Sequence, residues 1–354
     1  MDNRYCIIMA GGIGSRFWPM STSSKPKQFL DILGTGKTLL QQTYERFTKV
    51  CPTKNIYIVT NNDYSSIVAE QLPINSSQII SEPLRRNTAP CIAYASYKIS
   101  ALNPDALIVV APSDHLILKE DDFINTINSS YEKANSGNSL ITLGIKPSRP
   151  DTGYGYIQFE GKKDNSKVDF RRVKTFTEKP DIKTANEFLK SGDFYWNSGI
   201  FIWSVSTILH ALDKHMPETN ALFMLGKDIY NTPDEAAFIS KTYEQCKNIS
   251  VDYGIMEKAE KVLVALSDFG WSDLGTWGSL YENQMKNEEG NAIVGKNTFL
   301  YDSKDCIINI PDDKQVILQG LENYIVVYSN ETLLVCKKED EQKIKYMVAN
   351  SKNS

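Results

Sequence analysis

Five short runs punctuate the first 145 residues: YCIIM (5–9), NIYIVT (55–60), SQIIS (77–81), ALIVVAP (106–112) and SLITLGI (139–145). Helix-patterned stretches such as DYSSIVAEQL (63–72) and NTAPCIAYASYKI (87–99) lie between them. Runs that are apolar rather than alternating suit strands buried on both faces, and such strands pair in parallel. Alternation with helices predicts a doubly wound, mostly parallel α/β sheet. Ligands on such sheets bind beyond the C-terminal ends of the strands. AGGIGSR (10–16) follows the first run and PSDH (112–115) follows the fourth, so both are expected on one edge. From Asn291 the texture changes to short β-rich pieces separated by turn residues. The expected organisation is a large domain over 1–288 and a small β module over 289–354.

Composition narrows the function classes. The 39 basic and 43 acidic side chains leave a net charge of -4, whereas a general nucleic-acid binder carries a basic excess. No apolar stretch is long enough to span a bilayer, and the N-terminus lacks the pattern of a signal peptide. The expected location is the cytoplasm, with neither nucleic acid nor membrane as a partner. None of the six cysteines forms a CxxC pair, and no Cys/His cluster has zinc spacing.

The loop AGGIGSRFWPMSTSSKPKQF (10–29) combines three glycines, an arginine and two lysines with almost no negative charge. A dinucleotide fingerprint needs G-x-G-x-x-G or A, but Phe17 occupies the last position. A P-loop also fails, because GTGKT (34–38) has Asp31 where the first glycine belongs. What remains is a strand, a glycine turn that lets backbone approach phosphate, and fixed cations at Arg16 and Lys25. On its own the stretch points to polyphosphate affinity.

GGIGSRFWPMSTSSKPKQF also resembles the signature of sugar-1-phosphate nucleotidyltransferases, G-G-x-G-x-R-x-x-P followed by K-P-K-Q-F. The WPMS and QF variants are similar to the mannose-1-phosphate guanylyltransferase branch. Eight further matches follow in order: SEPLRRNTAPCIA, APSDH, DTGYGYI, FTEKP, YWNSGIF, VDYGIMEK, WSDLGTW and GLENYIVV. The resemblance implies a Rossmann-like nucleotidyltransferase fold with a C-terminal left-handed β-helix. It also implies that GTP and α-D-mannose 1-phosphate become GDP-mannose and pyrophosphate, with Mg²⁺ as cofactor. A homodimer is the expected assembly. Longer members add a cupin-like isomerase domain, so a single activity is expected here.

The same resemblance distributes roles among residues of this chain. Arg16, Lys25 and Lys179 are the expected catalytic cations. Nucleotide contacts are expected from Gly11, Gly12, Gly14, Ser15, Glu82, Asn87, Thr88 and Ser113. Guanine presents N1–H and an exocyclic amine, which suits an acceptor such as Glu82 or Asn87; Arg85 and Arg86 are expected toward solvent or phosphate. Gly155, Glu178, Lys179, Asn197, Gly199 and Asp252 are expected around the sugar phosphate. Asp114 and Asp273 are the expected Mg²⁺ ligands, since Mg²⁺ takes one or two carboxylates plus phosphates and water.

Each motif also has a plainer reading. Asp114, Asp252 and Asp273 could each be an N-cap, His115 could simply pack or bond Asp114, and Glu178–Lys179 could be a solvated turn. For the whole chain, the alternatives are the same chemistry on another NTP or hexose 1-phosphate, a non-catalytic regulatory homologue, or an oxidoreductase, which Phe17 disfavours.

Overall fold

The computed structural model describes residues 3–12, 15–161 and 168–351. The chain forms two compact units, each drawn from several segments. Unit 1 takes Met1–Gly11, Thr43–Ser113 and Ile117–Trp271; unit 2 takes Gly12–Gln42, Asp114–Leu116 and Ser272–Ser354.

Among the described residues, unit 1 is built on a nine-stranded sheet. In spatial order its strands begin Ile79–Glu82, Ile56–Asn61, Arg4–Met9 and Leu107–Pro112. They continue with Phe194–Ser204, Leu140–Ile145, Val262–Ser267, Asp169–Thr177 and Tyr156–Phe159. The first four pair in parallel. Their register aligns Met9 with Val59 and Pro112, and Asn61 with Glu82. The loops after Met9, Glu82 and Pro112 therefore leave from one edge of the sheet. The helix Thr88–Leu102 buries Ala89, Ile92, Ala93, Tyr94, Ala95 and Ile99, which explains why its sequence is apolar nearly all round.

Beyond Pro112 the sheet is mixed. Leu140–Ile145 and Val262–Ser267 are parallel, but Phe194–Ser204 runs antiparallel to both of its long neighbours. Register slips between Thr142 and Gly144 opposite residues 197–201, and Gly199 takes a left-handed φ of 68° there. Such a bulge bends its strand and re-aims side chains. It accounts for the polar Asn-Ser-Gly triplet inside an otherwise apolar run.

Unit 2 joins the glycine-loop segment and the β-rich tail around one core. Phe17, Ile32 and Leu39 pack in a single cluster with Leu274, Trp277, Ile307, Ile325, Val327 and Ile344. Phe17, the residue that breaks the dinucleotide fingerprint, lies with its ring centroid 4.9 Å from that of Trp277. In the tail, Ala292–Val294, Ile307–Asn309 and Tyr324–Ser329 stack in parallel, as do Thr298–Tyr301 and Val316–Gln319. Cys306, Ile308, Ile310 and Val326 fill the space inside.

Candidate active site

In unit 2 a cavity of about 280 Å³ is lined by Arg16, Phe17, Lys27, Asp114, His115, Asp273 and Gly275. Three of the expected residues, Arg16, Asp114 and Asp273, thus converge from three distant segments. Arg16 is exposed and donates from Nη1 to the Gly275 carbonyl at 3.2 Å. Lys27 is only 5% exposed. Its Nζ lies 2.9 Å from Asp114 Oδ2, 2.7 Å from the Asp273 carbonyl and 3.0 Å from the Leu274 carbonyl. Those three acceptors match the three protons of an ammonium. Burial by itself would raise the Asp114 carboxyl. The Lys27 ammonium, helped by His115 and by hydrogen bonds, outweighs that and holds it below its ordinary value.

The segment carrying Asp273 is tightly constrained. Leu274 adopts φ 45°, a conformation that costs a bulky residue about 1–3 kcal/mol. Its fully buried side chain in the unit 2 core and the Lys27 bond to its carbonyl hold it there. A Cβ on Gly275 would come within 2.7 Å of Asp273 Oδ2 and 3.2 Å of Arg16 Nη1, so a larger residue here would crowd both side chains. Asp273 accepts the Gly275 N–H at 2.9 Å, and Thr276 rather than Asp273 caps the helix Trp277–Asn283. Asp114 starts no helix either, since the strand Leu116–Ile117 comes next. Neither aspartate is therefore a helix cap.

Lys25 stands apart from this cavity. Its side chain is exposed, and its backbone N–H donates to Thr22 Oγ1 at 3.1 Å. The lysine that enters the cavity is Lys27, which the sequence motif does not single out. Lys25 closes a Ser/Thr run, whereas Lys27 opens the short helical turn Lys27–Phe29, whose residues are all buried. Gln28 Nε2 donates to the Gly12 carbonyl at 2.9 Å and ties that turn to the glycine loop. Ser15 begins the short turn Ser15–Phe17, and Gly14 lies outside the described residues.

The other expected residues belong to unit 1. Glu82 ends its strand with 8% exposure, and Tyr243 donates to its Oε1 at 2.9 Å. Burial pushes its carboxyl up to about 7, with the Tyr243 bond and the Arg85 charge pulling the other way. Asn87, at φ 67°, accepts the Thr88 N–H and caps the helix Thr88–Leu102. Thr88 Oγ1 accepts from the Val251 N–H at 2.9 Å, and buried Ser113 offers its carbonyl to Thr43 Oγ1. Arg85 is exposed, as expected of a solvent-facing residue, and Arg86 is half-buried; each also bonds to protein. Arg85 donates to Tyr64 Oη at 2.8 Å and Arg86 Nε to the Tyr243 carbonyl at 3.0 Å.

Gly155, Glu178, Asn197 and Asp252 come together in unit 1. A Cβ on Gly155 would lie 2.7 Å from Glu178 Oε2 and 3.5 Å from Asn197 Cβ. Asn197 Nδ2 donates to Asp252 Oδ1 at 2.7 Å, while its Oδ1 accepts the Gly199 N–H at 3.2 Å. Lys179, in a left-handed φ of 44°, pairs with Glu178. Asp252 opens a π-helical turn, Asp252–Met256, without capping it; Val251 holds the cap position. Burial raises the Asp252 carboxyl and the Glu178 charge adds to that, against the Asn197 hydrogen bond.

A nucleotidyl transferase family model matches residues 5–290, and a MannoseP isomerase/GMP-like β-helix domain model matches residues 296–350. A mannose-1-phosphate guanylyltransferase of Escherichia coli is 36% identical over 357 residues, covering 97% of this chain and 74% of that protein. One from Klebsiella pneumoniae is 37% identical over 349 residues, with 97% and 72% covered. A solved structure from Thermus thermophilus, described as a mannose-1-phosphate geranyltransferase, superposes with a TM-score of 0.88. It shares 27% identity and covers 99% of both chains.

Proposed function

The chain belongs to the nucleotidyl transferase family, and from that premise we propose that it converts GTP and α-D-mannose 1-phosphate to GDP-mannose and pyrophosphate. An oxygen of the sugar phosphate attacks the α-phosphorus of GTP, the bond from that phosphorus to the bridging oxygen breaks, and pyrophosphate leaves. The protein's task is to align two polyanions and offset their charge. The observation that carries the reading is the convergence of Arg16, Lys27, Asp114 and Asp273 on one cavity. A buried ammonium and an exposed guanidinium beside two carboxylates match a phosphate chain carrying a divalent cation.

In this reading Arg16 and Lys27 face the triphosphate, with Lys27 taking the role that the sequence placed on Lys25. The glycine loop from Gly11 lets backbone approach the phosphates. Glu82, Asn87, Thr88 and Ser113 hold the nucleoside, and Glu82 accepts from guanine. Asn197, Glu178 and Asp252 accept sugar hydroxyls above Gly155 and Gly199, and Lys179 pairs with the sugar phosphate. Asp114 and Asp273 fit Mg²⁺, which needs few protein carboxylates and takes its other ligands from phosphate and water. When bound, the ion would supply charge neutralisation on the phosphates. Residues 1–288 carry this chemistry and 289–354 form the β-helix-like domain.

The six cysteines are buried thiols, in keeping with a reducing cytoplasm. Among the described residues no helix is long and apolar enough to cross a membrane. The tail exposes Phe299, Tyr301, Ile317, Leu333 and Val335, which supports a homodimer. Sedimentation of the full chain reads the mass, and a monomer would count against it.

The function is tested by pyrophosphate release over four NTPs and several hexose 1-phosphates. GTP with mannose 1-phosphate is the expected best pair. Equal turnover with UTP or dTTP would overturn the guanylyl assignment, and no turnover with any pair would overturn the enzyme reading.

A further inference from the structure

The proposed role of Glu82 as acceptor for the nucleotide base carries a further requirement, and the inference drawn from it rests on that role. A buried carboxylate can discriminate between bases only if its orientation is fixed. Glu82 is reached from a helix far along the chain, Glu235–Gln245, through the Tyr243 hydroxyl on Oε1. Its Oε2 lies beside Gly11, 3.7 Å from the point that a Cβ there would occupy.

Tyr243 is itself immobilised. Its ring meets Tyr94 and Phe223 edge-on at centroid distances of 6.3 and 6.0 Å. Its carbonyl accepts from Arg86, so one residue holds the 82–86 segment at two points, through Glu82 and through Arg86. At the start of the same helix Glu235 accepts from Lys98 at 2.6 and 2.8 Å and from the Tyr94 hydroxyl at 2.6 Å. The Asn231 N–H adds a further bond at 2.6 Å.

We propose that Tyr243 is a positioning residue for base recognition: its hydroxyl anchors Glu82 Oε1 and leaves Oε2 turned toward the base beside Gly11. The groups facing Glu82 are Tyr243 from its helix, Arg85 from the adjoining loop, and Cys91 and Tyr94 from the helix Thr88–Leu102. Of these, the Tyr243 bond is the foremost influence that favours the ionised carboxyl. Removing the hydroxyl therefore both frees the carboxylate and makes it harder to ionise.

Tyr243→Phe keeps the ring and removes only the donor. Kinetics with GTP, ATP and mannose 1-phosphate from pH 6 to 9 provide the test. The expected result is a KM for GTP raised about tenfold near pH 7, the size of one charge-assisted hydrogen bond. With it go a smaller preference for GTP over ATP and an acid limb of kcat/KM displaced to higher pH. The kcat at saturation and the KM for mannose 1-phosphate stay near wild type. In a Glu82→Ala background, Tyr243→Phe should add nothing, since the tyrosine acts through the carboxylate. A Tyr243→Phe profile that superimposes on wild type overturns the proposal, as does a uniform fall in kcat with an unmoved acid limb. Wild-type enzyme that does not prefer GTP over ATP overturns the base reading itself, and this proposal with it.

Discussion

Lys27 Nζ sits 2.9 Å from Asp114 Oδ2, inside the same cavity as Arg16 and Asp273. The ammonium also bonds the carbonyls of Asp273 and Leu274, so one side chain ties two strand ends to the glycine-loop segment. Lys25, two residues earlier, is exposed.

The two lysines should therefore separate cleanly on mutation. Lys27→Met is expected to lower turnover by about a hundredfold or more, the scale of losing one preorganised charge contact. Lys25→Ala should change turnover by only a few-fold. Steady-state rates on folded protein decide it, and equal losses in the two variants would contradict the geometry.

Replacing either aspartate tests the proposed metal site. Calorimetry of nucleotide binding with and without Mg²⁺ is expected to show tightening by the ion in wild type and none in Asp114→Asn or Asp273→Asn. Thermal stability of Asp273→Asn should stay close to wild type, because Thr276 caps the next helix and Asn can still accept from Gly275. Normal Mg²⁺ linkage in either variant removes that residue from the site.

Gly155→Ala would place a methyl 2.7 Å from Glu178 Oε2. Admitting it forces the Glu178 carboxylate to move, so the KM for the sugar phosphate is expected to rise about tenfold, the size of one lost charge-assisted hydrogen bond. The KM for GTP should not move. A variant with both constants unchanged would show that Glu178 can swing aside without consequence, and that it does not hold the sugar.

Glu82 predicts a pH dependence of stability. Its carboxyl is raised from an ordinary 4.5 to about 7, mainly by burial. Between those values the unfolded chain releases this proton while the folded chain keeps it. Stability from this group is therefore fully present below an ordinary carboxyl value of 4.5 and is lost as pH rises to about 7. Glu82→Gln lacks that loss, so its stability relative to wild type should improve over the window by up to about 3 kcal/mol. Urea unfolding at several pH values measures it, and a constant difference would contradict a buried, hard-to-ionise carboxyl.

The parts of this protein legible in sequence are those carried by local pattern. Apolar runs announced the parallel strands, and the ends of those strands announced where Gly11, Ser113 and Asp114 would sit. The bulge at Gly199 falls on the Asn-Ser-Gly triplet of an apolar strand, where the sequence reading expected sugar contacts instead. The antiparallel placement of Phe194–Ser204 was not legible, because an apolar run specifies burial on two faces but not the direction of its neighbour.

Other features depend on partners far along the chain. Phe17 reads locally as a broken glycine fingerprint, yet it is a core residue of unit 2 packed with Trp277. Lys25 and Lys27 are equivalent as charges, and only burial against residues 114 and 273–274 separates them. Tyr243 is one aromatic in an amphipathic helix until tertiary packing sets its hydroxyl on Glu82. Local sequence determined which segments became strands and which loops carried the charged and glycine residues, because backbone period and turn chemistry act over a few residues. Which lysine met Asp114, which conformation Leu274 was forced to take and which carboxylate lost its water were decided by tertiary structure. Burial is a property of what the rest of the chain brings alongside.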